Sequence, residues 1–271
     1  MIKRRLAFSI YLIGLVAVVR FAAGQTSPVP GARELPRQAK PISEVVVPIP
    51  AEVFDTLDRF SNSNWRLVQL DGLAHAKPHG DQTQIALRLG VVIGEGFIAV
   101  EAHDAAEVKE LGNAALALAR GLGVEATVMR RSRSIVELAD KNDWPGVRKE
   151  WDKVLPDVQE GMKQLQSENL SQLVSLGGWL RGTKALAALI LQQYSAEAAE
   201  LLSQPALLDR FETQLGKMGA DGSVVKMQEG VRKMRVLVAS SGEKIPEKSV
   251  RDLANLCDEL LAIIDGPDTK R

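Results

Sequence analysis

The three histidines of the chain, His75, His79 and His103, are the side chains best suited to hold a metal ion. His75 and His79 are four residues apart, a spacing that places both rings on one side when the chain is helical. Pro78 lies between them and Gly80 follows, so the sequence predicts a loop here. A zinc ion held by these histidines would support hydrolysis. A metal-dependent, hydrolase-like enzyme is therefore one hypothesis, and solvated loop histidines are its simpler alternative.

The other motifs for covalent or cofactor chemistry are missing from the sequence. It contains no G-x-S-x-G elbow, no H-E-x-x-H, no C-x-x-C and no C-x-x-C-H haem-attachment site. Its single cysteine, Cys257, lies at a core spacing in the apolar stretch LANLCDELLAII, which predicts a buried side chain rather than a reactive thiol. The sequence therefore predicts no catalytic nucleophile and no bound cofactor.

An apolar stretch with three glycines, ALRLGVVIGEGFIAVEAHD at residues 86–104, admits three structures. A phosphate-binding loop needs a strand before it and a helix after it, and the glycine spacing fits neither the dinucleotide nor the Walker pattern. A membrane-spanning helix would place Arg88 and Glu95 near its middle, at several kcal/mol each. We expect the third structure, a buried helix whose glycines let a neighbouring backbone approach closely.

A second stretch, SLGGWLRG, has the same glycine-rich texture and predicts the partner of that helix. Each glycine costs about 1 kcal/mol of helix propensity, so repeated use indicates compensation by close packing. The glycines expected at the contact are Gly90, Gly94, Gly178 and Gly182.

Charged and aromatic residues on the same two helices form the candidate binding site. A charge that is buried needs a partner, and two interpretations stay open. The charges belong either to a polar stripe that faces solvent or an inter-helix gap, or to a ligand-binding groove between the glycine helices. The candidate ligand-binding residues are Arg88, Glu95, Trp179 and Arg181.

Helices are predicted to position all of these residues. From Thr83 onward, apolar residues recur every three or four positions, and the low aromatic content of 4% suits close helix packing. Asp104 followed by Glu107 predicts a capped helix start, as does Asp143 before Pro145, and a break is expected near Pro156. The predicted fold is an all-α bundle of about eight to ten helices over residues 83–265. A short helix and an irregular segment precede it at residues 51–82, and a tail follows at 266–271.

An internal duplication of a helical unit is a further hypothesis for this domain. The proposed repeats are residues 83–165 and 171–265. Each begins with a glycine-rich helix, and DWPGVRKEWDKVL in the first is similar to KIPEKSVRDLANL in the second. Ala-rich helices share composition in any case, which is the alternative explanation.

The N-terminus predicts export. A basic start, an apolar run and the small residues Ala22, Ala23 and Gly24 form a secretory signal pattern over residues 1–24. Six prolines follow within residues 25–50, which predicts an extended linker. We expect a periplasmic or secreted protein that starts at Gln25. If the segment stays uncleaved, it would tether the protein to a membrane.

The charge balance argues against a nucleic-acid partner. Removal of the signal segment leaves 30 basic residues against 34 acidic ones, so the exported chain lacks the positive field of a nucleic-acid binder. The one basic cluster, MRRSRS at residues 129–134, is expected to be a solvated loop between helices. Contact with an acidic partner, a lipid headgroup or a cell-wall polymer is the alternative.

Together these features favour an exported, non-enzymatic binding or scaffold protein. Its partner, a protein or a small molecule, and its oligomeric state are not specified by the sequence. The metal-dependent enzyme built on the three histidines and the membrane-tethered structural protein remain alternative hypotheses.

Overall fold

A computed structural model describes residues 41–42, 45–46, 63–219, 222–240 and 244–266. The predicted signal peptide, most of the proline-rich linker and the predicted short helix that starts at Ala51 lie outside these residues. Two short strands, β1 (Pro41–Ile42) and β2 (Val45–Val46), pair antiparallel, with Pro41 opposite Val46.

The predicted all-α fold is confirmed, because helices account for most of the described chain. In order, they are α1 (Gln82–Glu101), α2 (Ala105–Gly121), α3 (Glu125–Asp140), α4 (Trp144–Trp151), α5 (Val154–Gln164), α6 (Glu168–Gln192), α7 (Ala196–Ala199), α8 (Pro205–Lys217), α9 (Gly222–Ser240) and α10 (Glu247–Asp265). Short 3-10 turns lie at Trp65–Val68, Leu73–His75 and Glu200–Leu202.

Aspartates begin three of the helices. The side chain of Asp104 accepts a hydrogen bond from the Glu107 N–H at 3.1 Å, as the sequence predicts. Asp143 accepts one from Gly146 at 3.1 Å at the start of α4, and Asp81 caps α1 in the same way. Each cap satisfies a backbone donor that the first helical turn leaves free.

The expected break near Pro156 is confirmed. Helix α4 ends at Trp151 and α5 begins at Val154, so that Pro156 lies in the first turn of the new helix. A proline is tolerated there because the first-turn amides have no intrahelical acceptor to lose.

The prediction of a loop for the basic stretch 129–134 is wrong. These residues lie inside α3, where no glycine or proline interrupts the helix. Arg131 is largely buried and bonds to Glu150 at 2.8 Å and to Asp157. Arginine is a good helix former, and the acids on α4 and α5 compensate the charge of this largely buried side chain.

Helix α1 lies at the centre of the bundle. Every residue from Ile85 to Val100 is buried, and α6 is the second largely buried helix. Helix α1 packs against α6 and α2, while α10 packs against α6 and α9. By length and composition α1 could cross a membrane, but 89% of its apolar window is buried inside this fold. Its all-round apolar character is explained by neighbours on every side.

The two glycine-rich helices open the two proposed repeats. Helix α1 lies at the start of the first proposed repeat, residues 83–165, and α6 lies at the start of the second, residues 171–265. In each half, two consecutive helices pack against each other, α2 against α3 and α8 against α9. The last helix of each half, α5 or α10, contacts α6. The internal duplication itself stays a prediction.

Candidate functional site

Helices α1 and α6 touch backbone to backbone at their glycines. A Cβ atom at Gly90 would lie 2.0 Å from the Val174 carbonyl oxygen, and one at Gly177 would lie 2.0 Å from the Leu87 oxygen. Real Cβ atoms do not approach oxygen so closely, so both positions require glycine. The predicted contact is therefore confirmed at Gly90, and Gly178 joins it, since its Cβ would lie 3.3 Å from the Gly90 oxygen.

One of the four predicted glycines is less buried than a glycine at the helix contact should be. Gly182 is partly exposed, and Gly177 makes the second close backbone contact of α6. The adjacent residues Gly177 and Gly178 both contact the backbone of α1, at Leu87 and at Gly90. A spacing of four on one helix face does not predict contacts made by two adjacent residues.

The glycine contact brings one charge of each helix to the same level. Gly90 faces Val174 and Gly178, whereas Gly94 faces Gly178 and Arg181. The contacts advance in the same direction along both helices, so the helices run parallel here. Glu95, which follows Gly94, thus comes level with Arg181.

Glu95 and Arg181 form a fully buried ion pair. Both side chains are 0% exposed, and Arg181 Nε donates a hydrogen bond to Glu95 Oε2. Arg181 Nη2 donates to the Val68 carbonyl oxygen, and the Leu70 N–H donates to Glu95 Oε1 at 2.9 Å. The pair therefore holds the backbone of residues 63–80, the connecting segment, at two points. These charge-assisted bonds offset part of the cost of removing two charges from water.

Apolar side chains of the connecting segment pack into the core of the bundle. Trp65, Val68 and Leu73 are all buried, and they come from the two 3-10 turns of the segment. Gly72 links these turns with φ at +87°, a conformation that glycine adopts without strain. The ion pair beneath the backbone of this segment is fully closed off from solvent.

Arg88 occupies a different environment from Glu95, although both lie on α1. It is 2% exposed, and its Nη2 donates to the carbonyl oxygens of Ile264 at 2.8 Å and Asp265 at 3.0 Å. A cation is favourable at these last carbonyls of α10 because they carry the negative end of the helix dipole. Burial lowers the pKa of the Arg88 guanidinium, and Asp265 opposes that shift.

His79 completes the Arg88 cluster. Arg88 Nη1 lies 2.8 Å from His79 Nδ1, and His79 Nε2 lies 3.4 Å from the Asp265 carbonyl oxygen. His79 Nδ1 also lies 3.1 Å from the Lys77 carbonyl oxygen. Burial raises the pKa of the Asp265 carboxyl, and the charge of the Arg88 guanidinium opposes that shift. The cluster joins the connecting segment to the end of the last helix.

Trp179 packs toward α8, on a different side of α6 from Arg181. Its indole N–H donates to Gln204 Oε1 at 2.7 Å, and its ring packs against Phe211 at a centroid distance of 5.8 Å. Two residues along a helix correspond to about 200° of rotation, so Trp179 and Arg181 point to different sides. The structure therefore brings Glu95 and Arg181 together, and places Arg88 and Trp179 elsewhere. That any of the four binds a ligand stays a prediction.

The three histidines have separate surroundings. The exposed His75 lies 3.7 Å from Glu110, His79 belongs to the Arg88 cluster, and His103 stacks on Trp144 at 4.7 Å. In the part of the chain that the structure describes, no group of three histidine, cysteine or acidic side chains could hold a metal ion. The geometry of these residues gives the metal-dependent enzyme no support.

The prediction of a buried cysteine is confirmed. Cys257 is a free and fully buried thiol, and burial raises its pKa to about 12. It is therefore a protonated thiol at neutral pH, and a thiolate nucleophile does not form at this position.

An open groove between α9 and α10, which we call the outer groove, was not anticipated from the sequence. Its volume is about 610 Å³, and Val236 beside it is 56% exposed. Val236 lies two residues beyond the buried Met234, off the buried stripe of α9. An apolar residue among charges on the polar side of an amphipathic helix is the signal that could have revealed this surface.

The fold and these sites define a helical bundle whose buried charges bind its own backbone. The chain matches no known protein family, no characterised protein and no solved structure.

Proposed function

We propose that this chain is an exported, non-enzymatic helical protein that acts as a binding or scaffold protein. Its N-terminal sequence supports export, since the basic start, apolar run and small residues are typical of a cleaved signal peptide. A non-enzymatic role rests on how the buried charges are used.

The observation that carries the proposal is the pairing of Glu95 and Arg181 with the connecting segment. The carboxylate and the guanidinium bind a backbone N–H and a backbone carbonyl instead of lining an open cavity. Arg88 likewise binds the last carbonyls of α10. A catalytic charged group must reach a substrate, whereas these groups form hydrogen bonds with the protein's own backbone. We therefore expect a partner to contact the outer surface of the bundle.

Metal analysis separates this proposal from the metal-dependent enzyme. We expect the exported chain, purified without a histidine tag, to contain no stoichiometric zinc. A variant with His75, His79 and His103 all replaced by Asn should keep its helical circular dichroism. One equivalent of zinc that is lost in the triple variant would instead support the enzyme.

N-terminal sequencing of the exported form tests the location and the tether. We expect the chain in the soluble exported fraction to begin at Gln25. An intact N-terminus in the membrane fraction would favour the membrane-tethered alternative, and retention of the full chain inside the cell would contradict export.

A further inference from the structure

We propose that the outer groove is a self-association surface and that its occupant is a second copy of this chain. The proposal rests on the proposed function, because it names the partner of a binding or scaffold protein. It is carried by the charges on the two rims, by the exposed Val236 between them and by the direction of the two helices.

The two rims of the outer groove carry opposite charge. Helix α9 contributes Arg232 and Lys233, and α10 contributes Asp252 and Glu259. Among the residues that line the groove, α9 carries no acid and α10 carries no base. A partner that matches this surface must present an acidic rim to α9 and a basic rim to α10.

A second copy presents these rims in the required order. Helices α9 and α10 are joined by a short connection, residues 241–246, and Gly230 near the middle of α9 contacts Leu260 near the end of α10. Consecutive helices joined in this way are antiparallel neighbours. A two-fold axis that runs parallel to the helices then places α9 of one copy over α10 of the other. Basic rims meet acidic rims twice, in a self-complementary four-helix arrangement.

Lys233 and Glu259 are the charges left for the partner. Arg232 already bonds to Glu212 at 2.7 Å, and Asp252 bonds to Lys248 at 2.6 Å. Among the ion pairs of the described residues, neither Lys233 nor Glu259 takes part. The two side chains are therefore the ones whose charge the second copy would neutralise.

The size of the apolar centre sets the strength of this association. Val236 is the large apolar side chain most exposed beside the groove, and Leu256 on α10 is only partly buried. So small an apolar centre, with charged rims, is typical of a weak and reversible interface. We expect a dimer that forms in the micromolar range and weakens as salt screens the rims.

Sedimentation velocity on the full exported chain, over about 1 to 200 µM, tests the proposal. Lys233→Glu and Glu259→Lys should each weaken the dimer about tenfold or more, because the two-fold axis creates each like-charge contact twice. The double variant should restore the dimer to within about threefold of the unchanged chain, since both rims are reversed together. Lys163→Glu, at an exposed position on α5, is the matched control and should change nothing.

Three outcomes would each overturn the proposal, with circular dichroism confirming that every variant is folded. They are a chain that stays monomeric at all concentrations, a dimer that neither single reversal weakens, and a double variant that fails to restore association. A second copy bound elsewhere on the bundle would give the second outcome. The metal and export experiments report on the proposed function separately, so a monomeric chain would remove this inference and leave the broader proposal standing.

Discussion

Replacing Glu95 by Gln should destabilise the bundle severely, although the two side chains have nearly the same shape. The carbonyl oxygen of the introduced amide could still accept the Leu70 N–H, but the guanidinium of Arg181 would stay fully buried without a counter-charge. Breaking a buried pair by removing one partner costs about 3–5 kcal/mol. Because one hydrogen bond survives, we expect the lower end of that range, about 3 kcal/mol.

Arg181→Met should cost more than Glu95→Gln. It leaves the Glu95 carboxylate uncompensated and also removes the donor to the Val68 carbonyl oxygen. An orphaned buried acceptor adds about 1–3 kcal/mol. The double variant contains no buried charge at this point, so it should be more stable than the sum of the two single losses predicts. We expect a coupling free energy of about 2 kcal/mol.

Urea unfolding followed by circular dichroism at about 25 °C measures these free energies. Hydrogen exchange adds a local readout, since the Leu70 amide should lose protection in Arg181→Met if the connecting segment detaches. Asp140→Asn, which breaks the exposed pair with Lys109, is the control and should cost less than about 1 kcal/mol. A loss below about 1 kcal/mol in Glu95→Gln, or strict additivity of the two single variants, would refute this account of the pair.

Other substitutions test the packing and the charges independently. Gly90→Ala should lower the free energy of unfolding by more than about 2 kcal/mol because its Cβ would lie 2.0 Å from a carbonyl oxygen of α6. Gly112→Ala, whose Cβ would lie 3.7 Å from its nearest neighbour, the Ser132 hydroxyl, should raise it by up to about 1 kcal/mol, and a loss there would contradict this comparison. Trp151→Phe removes a 3.0 Å hydrogen bond to a carbonyl of α1 and should cost about 1–3 kcal/mol in urea unfolding. Hydrogen bonds from two arginines of α9 lower the pKa of Glu212, so its stabilisation is complete above the usual glutamate pKa of about 4.3 and is lost as pH falls through the lower folded value. Glu212→Gln should therefore flatten the acid side of a stability–pH profile, and an unchanged slope would count against the pairing.

The sequence predicted those features that depend on neighbouring residues. Asp104 and Asp143 cap helices because an aspartate oxygen reaches an amide only two or three residues away. The break near Pro156 follows from the missing amide of proline. Glycines in an apolar helix indicate a close contact because their cost in helix propensity needs compensation, and Gly90 makes that contact.

Features that depend on distant pairs were not predictable from local patterns. Glu95 and Arg181 are 86 residues apart, and Val68 is 113 residues from Arg181. Nothing in a local pattern specifies which backbone groups reach a buried charge. The error over the basic stretch has a local origin instead, since residues 125–140 contain no glycine or proline that would interrupt a helix. Only the pairing of Arg131 with acids of α4 and α5 depends on distant residues.

The glycines of α1 and α6 could nevertheless have excluded a ligand-binding site between these two helices. Glycines at Gly90 and Gly177 bring two backbones so close that a single added carbon would overlap an oxygen atom. A contact of that kind leaves no room for a ligand between the helices, so close glycine packing and a ligand-filled gap exclude each other along the same face. The charges at its edge, Glu95 and Arg181, are fully buried and already bind the backbone of the connecting segment. A ligand for this pair would have to replace that segment, whereas a partner at the outer groove displaces none of these contacts, which is why binding is better sought on the exposed face of α9 and α10.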